Sequence, residues 1–129
     1  MARTRHTKEE MRCYISDTFG YDLDRNCDDI RPTYGFDGSC QGTVPESIIA
    51  FLDSKDYKDA LCLCISLSGD ADTMGAITGA IAAAYYNKMP YTLYEFGTKK
   101  LLEDILLVIR NFNGKYEAKV SRAWRNAEL

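Results

Sequence analysis

From Thr73 to Asn87 the chain carries no charged side chain, and its apolar residues recur at helical spacing. Ile77, Ile81 and Tyr85 fall on one side of such a helix, while Gly75, Gly79 and Ala83 follow at steps of four on another. A helix that is apolar nearly all round must be buried on most sides, and small residues at that spacing admit a close neighbour. A spanning helix needs about 20 consecutive apolar residues, more than this stretch offers, so no membrane span is expected. The stretch reads as the central helix of a packed domain, over 74–86.

The flanking sequence supplies helices to pack around it. Met11, Tyr14, Ile15 and Phe19 predict a helix over about 8–18, ending at Gly20. Thr43-Val44-Pro45-Glu46 has a cap residue with Glu three positions on, and Pro45 suits a first turn; the pattern predicts a helix over about 44–53 burying Ile48, Phe51 and Leu52. After a break at 53–56, Ala60, Leu61, Cys64, Ile65 and Ser68 mark a helix over about 57–67, and the short connection makes the two antiparallel neighbours. Lys88-Met89-Pro90 ends the central helix. Leu101, Leu102, Ile105, Ile109 and Phe112 define a last amphipathic helix that stops near Asn113-Gly114. No alternating run is long enough for a strand. The expected fold is all-α, a compact helical bundle forming one domain over 1–114. A basic tail over 115–129 follows, in which Tyr116, Val120 and Trp124 at steps of four suggest a further helix.

Charge and cysteine usage exclude several classes. Sixteen Lys+Arg against 19 Asp+Glu give a net charge of −3, which offers no overall field for phosphate backbones, so no nucleic-acid partner is expected. The five cysteines are an odd number, with no signal-peptide pattern ahead of them, which argues against a secreted disulfide framework and for the cytoplasm. Cys62 and Cys64 point about 200° apart on a helix and cannot share a metal. His6, the only histidine, lies in a polar terminus with no nucleophile to pair with. The basic residues Lys115, Lys119, Arg122 and Arg125 read as a solvated face.

Asp70 and Asp72 stand two apart at the start of the most apolar helix, with Gly69 before them, Thr73 after them and no basic residue near in sequence. Helix capping accounts for both carboxylates through the unpaired amides and the dipole. The alternative is metal binding, because two carboxylates and a hydroxyl are hard oxygen donors suited to Mg²⁺. Upstream, the long loop 21–41 is punctuated by Asp, Gly, Pro and Asn, and loops of that length are often functional. Its aromatic residues Tyr34 and Phe36 either anchor it to the core or stack on an adenine; Gly42 and Thr43 sit where a helix start can receive a phosphate.

The segment Ser66-Leu67-Ser68-Gly69-Asp70-Ala71-Asp72-Thr73-Met74-Gly75-Ala76-Ile77-Thr78-Gly79 resembles the C-terminal signature of the ADP-ribosylglycohydrolase family. Tyr34-Gly35-Phe36-Asp37-Gly38-Ser39-Cys40-Gln41-Gly42-Thr43-Val44-Pro45-Glu46 is similar to the family's approach to it. The resemblance implies an all-α dimagnesium hydrolase acting on ADP-ribose linkages, with Asp70, Asp72 and Thr73 as metal ligands and Gly69, Gly42, Thr43, Tyr34 and Phe36 near the ligand. Ser68 stands where family members often carry glycine. The family's other ligands, an early acidic residue and a Thr-Asp-Asp motif, have no counterpart at an equivalent place; Cys27-Asp28-Asp29 lies too close to the signature to serve as one. The resemblance therefore implies a weak or partial Mg²⁺ site, completed by a second copy or a complementing chain if ADP-ribose is hydrolysed. The alternative is a non-catalytic binder that sequesters an ADP-ribose-derived or cyclic nucleotide. Uncovered apolar helix faces would make the chain a homo-oligomer.

Overall fold

The computed structural model describes residues 1–4 and 6–116. After a 3-10 turn, Ala2–Thr4, the helices are α1 (Lys8–Phe19), α2 (Cys27–Ile30), α3 (Cys40–Asp53), α4 (Tyr57–Ser66), α5 (Ala71–Tyr86), α6 (Tyr91–Thr98) and α7 (Glu103–Tyr116). Among the described residues there is no strand, as expected, and no helix is long and apolar enough to cross a membrane. The chain divides into two compact units, Met1–Tyr86 and a second one that begins at Asn87.

In the first unit α3, α4 and α5 pack pairwise against one another, and the N-terminal turn packs on α5. α5 meets α3, α4 and the N-terminal turn, as a central helix should, but the deepest burial falls to α3, nine of whose residues are buried: Thr43 and the run from Pro45 to Leu52. The reason is that α5 packs along one face only. α5 buries Met74, Thr78, Gly79 and Ala82 while Ala76 and Ala80 face solvent; alanine tolerates exposure on a helix. Gly79 is the small-residue contact the spacing predicts, since a Cβ there would meet Leu61 Cδ2 at 3.4 Å and Tyr57 Oη at 3.5 Å. Thr78 Oγ1 donates to the Ser47 carbonyl at 2.9 Å, and Ser47 Oγ to the Thr43 carbonyl at 2.7 Å. These bonds satisfy buried hydroxyls between α3 and α5.

Helix starts follow capping chemistry. Thr7 and Glu10 form a reciprocal capping box on α1, which ends at Gly20 in the left-handed region (φ 71°). α3 starts at Cys40, four residues earlier than the expected 44, because Ser39 rather than Thr43 is its cap and accepts the Gly42 N–H at 3.1 Å. Pro45 consequently lies inside the helix, where it forgoes a bond to the Gln41 carbonyl. The loop 21–41 contains α2, capped by Asn26, whose side chain accepts the Asp28 and Asp29 N–H groups while Asp29 bonds back to the Asn26 N–H. Asp28 pairs with Arg31. The Cys27-Asp28-Asp29 carboxylates are thus structural. Cys27 itself is buried, and burial together with the neighbouring Asp53 pushes its thiol up to about 12.

The second unit holds α6, which sequence periodicity missed, and α7, which runs to Tyr116 through the expected stop at Asn113-Gly114. The tail helix expected around Val120 and Trp124 lies outside the described residues. No residue of α6 is buried. On α7, Leu102 just before its first turn, Val108, Phe112 and Leu107 are exposed.

Candidate functional site

The signature enters the fold at the α4–α5 connection. α4 ends at Ser66, and Ser68 takes φ 62°, a left-handed conformation that suits glycine. This explains in backbone terms why a glycine serves well there. The Asp70 carbonyl accepts the Met74 N–H at 2.8 Å, the first bond of α5, so Asp70 occupies the cap position and Asp72 and Thr73 lie in the first turn. The neighbouring Asp70 side chain, then the N–H groups of Asp72 itself and Thr73, hold the Asp72 carboxyl below the usual range. The two carboxylates therefore meet at one helix start, with Asp72 and Thr73 exposed and Asp70 half-buried.

Tyr34 joins this turn to the upstream loop. Its Oη donates to the Gly42 carbonyl at 3.1 Å and lies 3.6 Å from Met74 Sδ. Its ring edge lies against Gly69, where a Cβ would collide with it and stand 2.9 Å from Met74 Sδ. Burial raises the Tyr34 pKa, the nearby Thr43 side chain opposes this, and the carboxylates of Glu46, Asp37 and Asp70 add to the rise. The phenol is thus the point where the loop, α3 and the signature converge. Gly42 is required by a similar close approach, because the Asp37 carboxylate lies where its Cβ would be.

The remaining expected residues divide by exposure. Phe36 is 79% exposed, so the structure does not use it as a loop anchor. Thr43 is buried and its hydroxyl donates to the Asp37 carbonyl at 2.7 Å, which fixes the loop's return into α3. The structure brings together Tyr34, Gly42, Thr43, Gly69 and, within electrostatic reach, Asp70; Phe36 stands two residues along the loop in solvent.

Two residues at this place went unnoticed as site elements. Asp37 receives the Ser39 N–H at 2.7 Å, which with the Ser39 hydroxyl holds its carboxyl below the usual range. Glu46 is buried and paired with Arg25 at 2.9 Å, and its Oε2 is buried without a hydrogen-bond partner. The only sequence signal for Glu46 was a capping pattern assigned to the wrong helix start.

As a metal centre the donor set is incomplete. Among the described residues no group of three or more His, Cys, Asp or Glu side chains is placed to hold a metal ion. Asp70, Asp72 and Thr73 bring hard oxygen atoms to one turn, fewer than a closed dimetal cage requires.

No curated protein and no solved structure matches the chain. The family model described as ADP-ribosylglycohydrolase matches residues 2–116, which takes in Tyr34, Gly42, Gly69 and the Asp70-Ala71-Asp72-Thr73 turn. The chain belongs to the ADP-ribosylglycohydrolase family.

Proposed function

We propose that this protein binds ADP-ribose, or the ADP-ribose group of a modified substrate, on the face where loop 34–43 meets the α4–α5 turn. The observation that carries the reading is Tyr34, which bonds to Gly42 and packs on Gly69 beside Asp70. In this reading Phe36 offers a free aromatic face to the adenine, and the missing side chain at Gly69 lets the Tyr34 ring seat against the turn that carries Asp70. Asp70, Asp72 and Thr73 hold a hydrated Mg²⁺ weakly; such an ion supplies positive charge for ribose hydroxyls and an acidified water.

Hydrolysis of the glycosidic bond belongs to the proposal only with further carboxylates, from a second copy or a complementing chain. The exposed apolar side chains Leu102, Ile105 and Val108 support self-association. The incomplete donor set favours the second reading, a non-catalytic binder that sequesters an ADP-ribose-derived or cyclic nucleotide. All five cysteines are free thiols, which fits the reducing cytoplasm.

Calorimetric titration with ADP-ribose, with and without Mg²⁺, tests the binding; an assay for ADP-ribose release from a modified protein then separates the two readings. Binding with turnover makes the chain a hydrolase, and binding without turnover makes it a sequestering domain. Absence of binding, with no difference between wild type and Asp70→Ala or Asp72→Ala, removes both.

A further inference from the structure

Lys8 opens α1, yet its side chain turns inward. Nζ donates to the Leu52 carbonyl at 3.1 Å and to the Ser54 carbonyl, at the end of α3. The same nitrogen lies 5.0 Å from the ring centroid of Phe51, 5.3 Å from that of Tyr86 and 5.9 Å from that of Tyr85. Phe51 and Tyr85 meet edge to face at 75°, and Tyr85 and Tyr86 at 87°, so the rings form walls and not a stack. The floor is fixed by Tyr86 Oη, which donates to the Ser54 carbonyl at 2.6 Å and shares a bond with Ser54 Oγ at 2.9 Å.

Each part attracts a cation. Aromatic faces within about 6 Å of a charged nitrogen stabilise it through the ring quadrupole. The last carbonyls of a helix carry partial negative charge, and three N–H donors of an ammonium match two carbonyls with one to spare. Asp53 and Asp59 add negative potential, opposing the burial that pushes the Lys8 pKa down from the usual lysine range. Ordinary packing does little of this work at α1: Met11 is its one buried residue, while Tyr14 and Phe19 are exposed.

We propose that Phe51, Tyr85 and Tyr86, with the backbone carbonyls of Leu52 and Ser54, form a recognition site for a primary ammonium group, which Lys8 fills as a tethered ligand. The site holds α1 against α3 and α5 by charge recognition. With the Lys8 ammonium removed, the cage takes a free alkylammonium ion in its place.

The test is chemical rescue in the full-length chain. Lys8→Ala empties the cage, and Lys8→Met keeps most of the stem without the charge. Each variant is expected to melt about 5 °C below wild type, the usual size of such a loss in a small domain. Adding n-propylammonium chloride should raise the melting temperature of Lys8→Ala in a saturable manner, through binding to the folded state. Matched sodium chloride or n-propanol should not, and wild type, its cage filled, should not respond. The proposal fails if Lys8→Met is as stable as wild type, or if n-propanol rescues Lys8→Ala as well as the ammonium does. Either outcome would make the contact a matter of stem burial alone. It fails equally if Lys8→Ala does not respond to n-propylammonium.

Discussion

The ring edge of Tyr34 rests on the bare Cα of Gly69, and this contact helps tie the upstream loop to the turn that carries Asp70 and Asp72. Across a chain separation of 35 residues, nothing local in sequence announces it. The contact is possible because glycine has no Cβ to hold the ring off, and it is kept in register by the bond from Tyr34 Oη to the Gly42 carbonyl.

Gly69→Ala should therefore break the site from within. The added methyl meets both the Tyr34 ring and Met74 Sδ; the thioether can give way, but the ring is held at its far end by Gly42. Overpacking of this kind costs about 1–3 kcal/mol, to be read from urea unfolding. Affinity for ADP-ribose should fall with it. A variant with unchanged stability and binding would show that the ring moves aside at no cost.

Phe36→Ala should separate function from stability. A side chain 79% exposed has little packing to lose, so the unfolding midpoint should stay within about 0.5 kcal/mol of wild type. If the ring stacks on the adenine, affinity for ADP-ribose drops several-fold while affinity for ribose 5-phosphate, which has no base, does not. Equal affinities of wild type and variant for ADP-ribose would remove Phe36 from the ligand site.

Ser68→Gly should stabilise the fold. A left-handed conformation costs a non-glycine residue about 1–2 kcal/mol, and Ser68 adopts φ 62°. The extra freedom of glycine in the unfolded chain returns about 0.5–1 kcal/mol of that gain. A net increase of up to about 1.5 kcal/mol is expected in chemical denaturation; a loss would mean that the serine side chain makes a compensating bond.

The helices α1, α3, α4 and α5 were legible because their apolar residues recur at helical spacing and because breaks are written in Gly20, the stretch 53–56 and the turn from Ser68 to Thr73; the caps at Thr7 and Asp56 emerged only with the fold. The start of α3 was misplaced because Thr43 and Ser39 are both competent caps, and only the tertiary demand for Thr43 Oγ1 on the Asp37 carbonyl decides between them. α6 was missed since Tyr91–Thr98 is only 8 residues long, about two turns, too short for an apolar repeat to stand out after Pro90. At the site, the Asp70-Ala71-Asp72-Thr73 turn was visible as a motif. The roles of Asp37 and Glu46 were not, since each depends on a partner brought near only by folding: the backbone of Gly42 for one, Arg25 for the other.

Acid should loosen the approach to the site through Asp37. Its carboxylate accepts the Ser39 N–H at 2.7 Å and covers Gly42, and the Ser39 backbone N–H, then its hydroxyl, lower its pKa below the usual aspartate value. With the folded pKa below the unfolded one, the unfolded chain binds more protons between the two values, and stability rises with pH across that window. The contribution is complete above the unfolded pKa and is lost as the pH falls through the folded one. Asp37→Asn keeps a hydrogen-bond acceptor for Ser39 but cannot titrate. The gap in urea midpoint between wild type and Asp37→Asn should be constant near neutrality and should close on acidification below about pH 4. Two profiles that run parallel through the whole acid range would show that the Asp37 charge contributes nothing to holding the loop against α3.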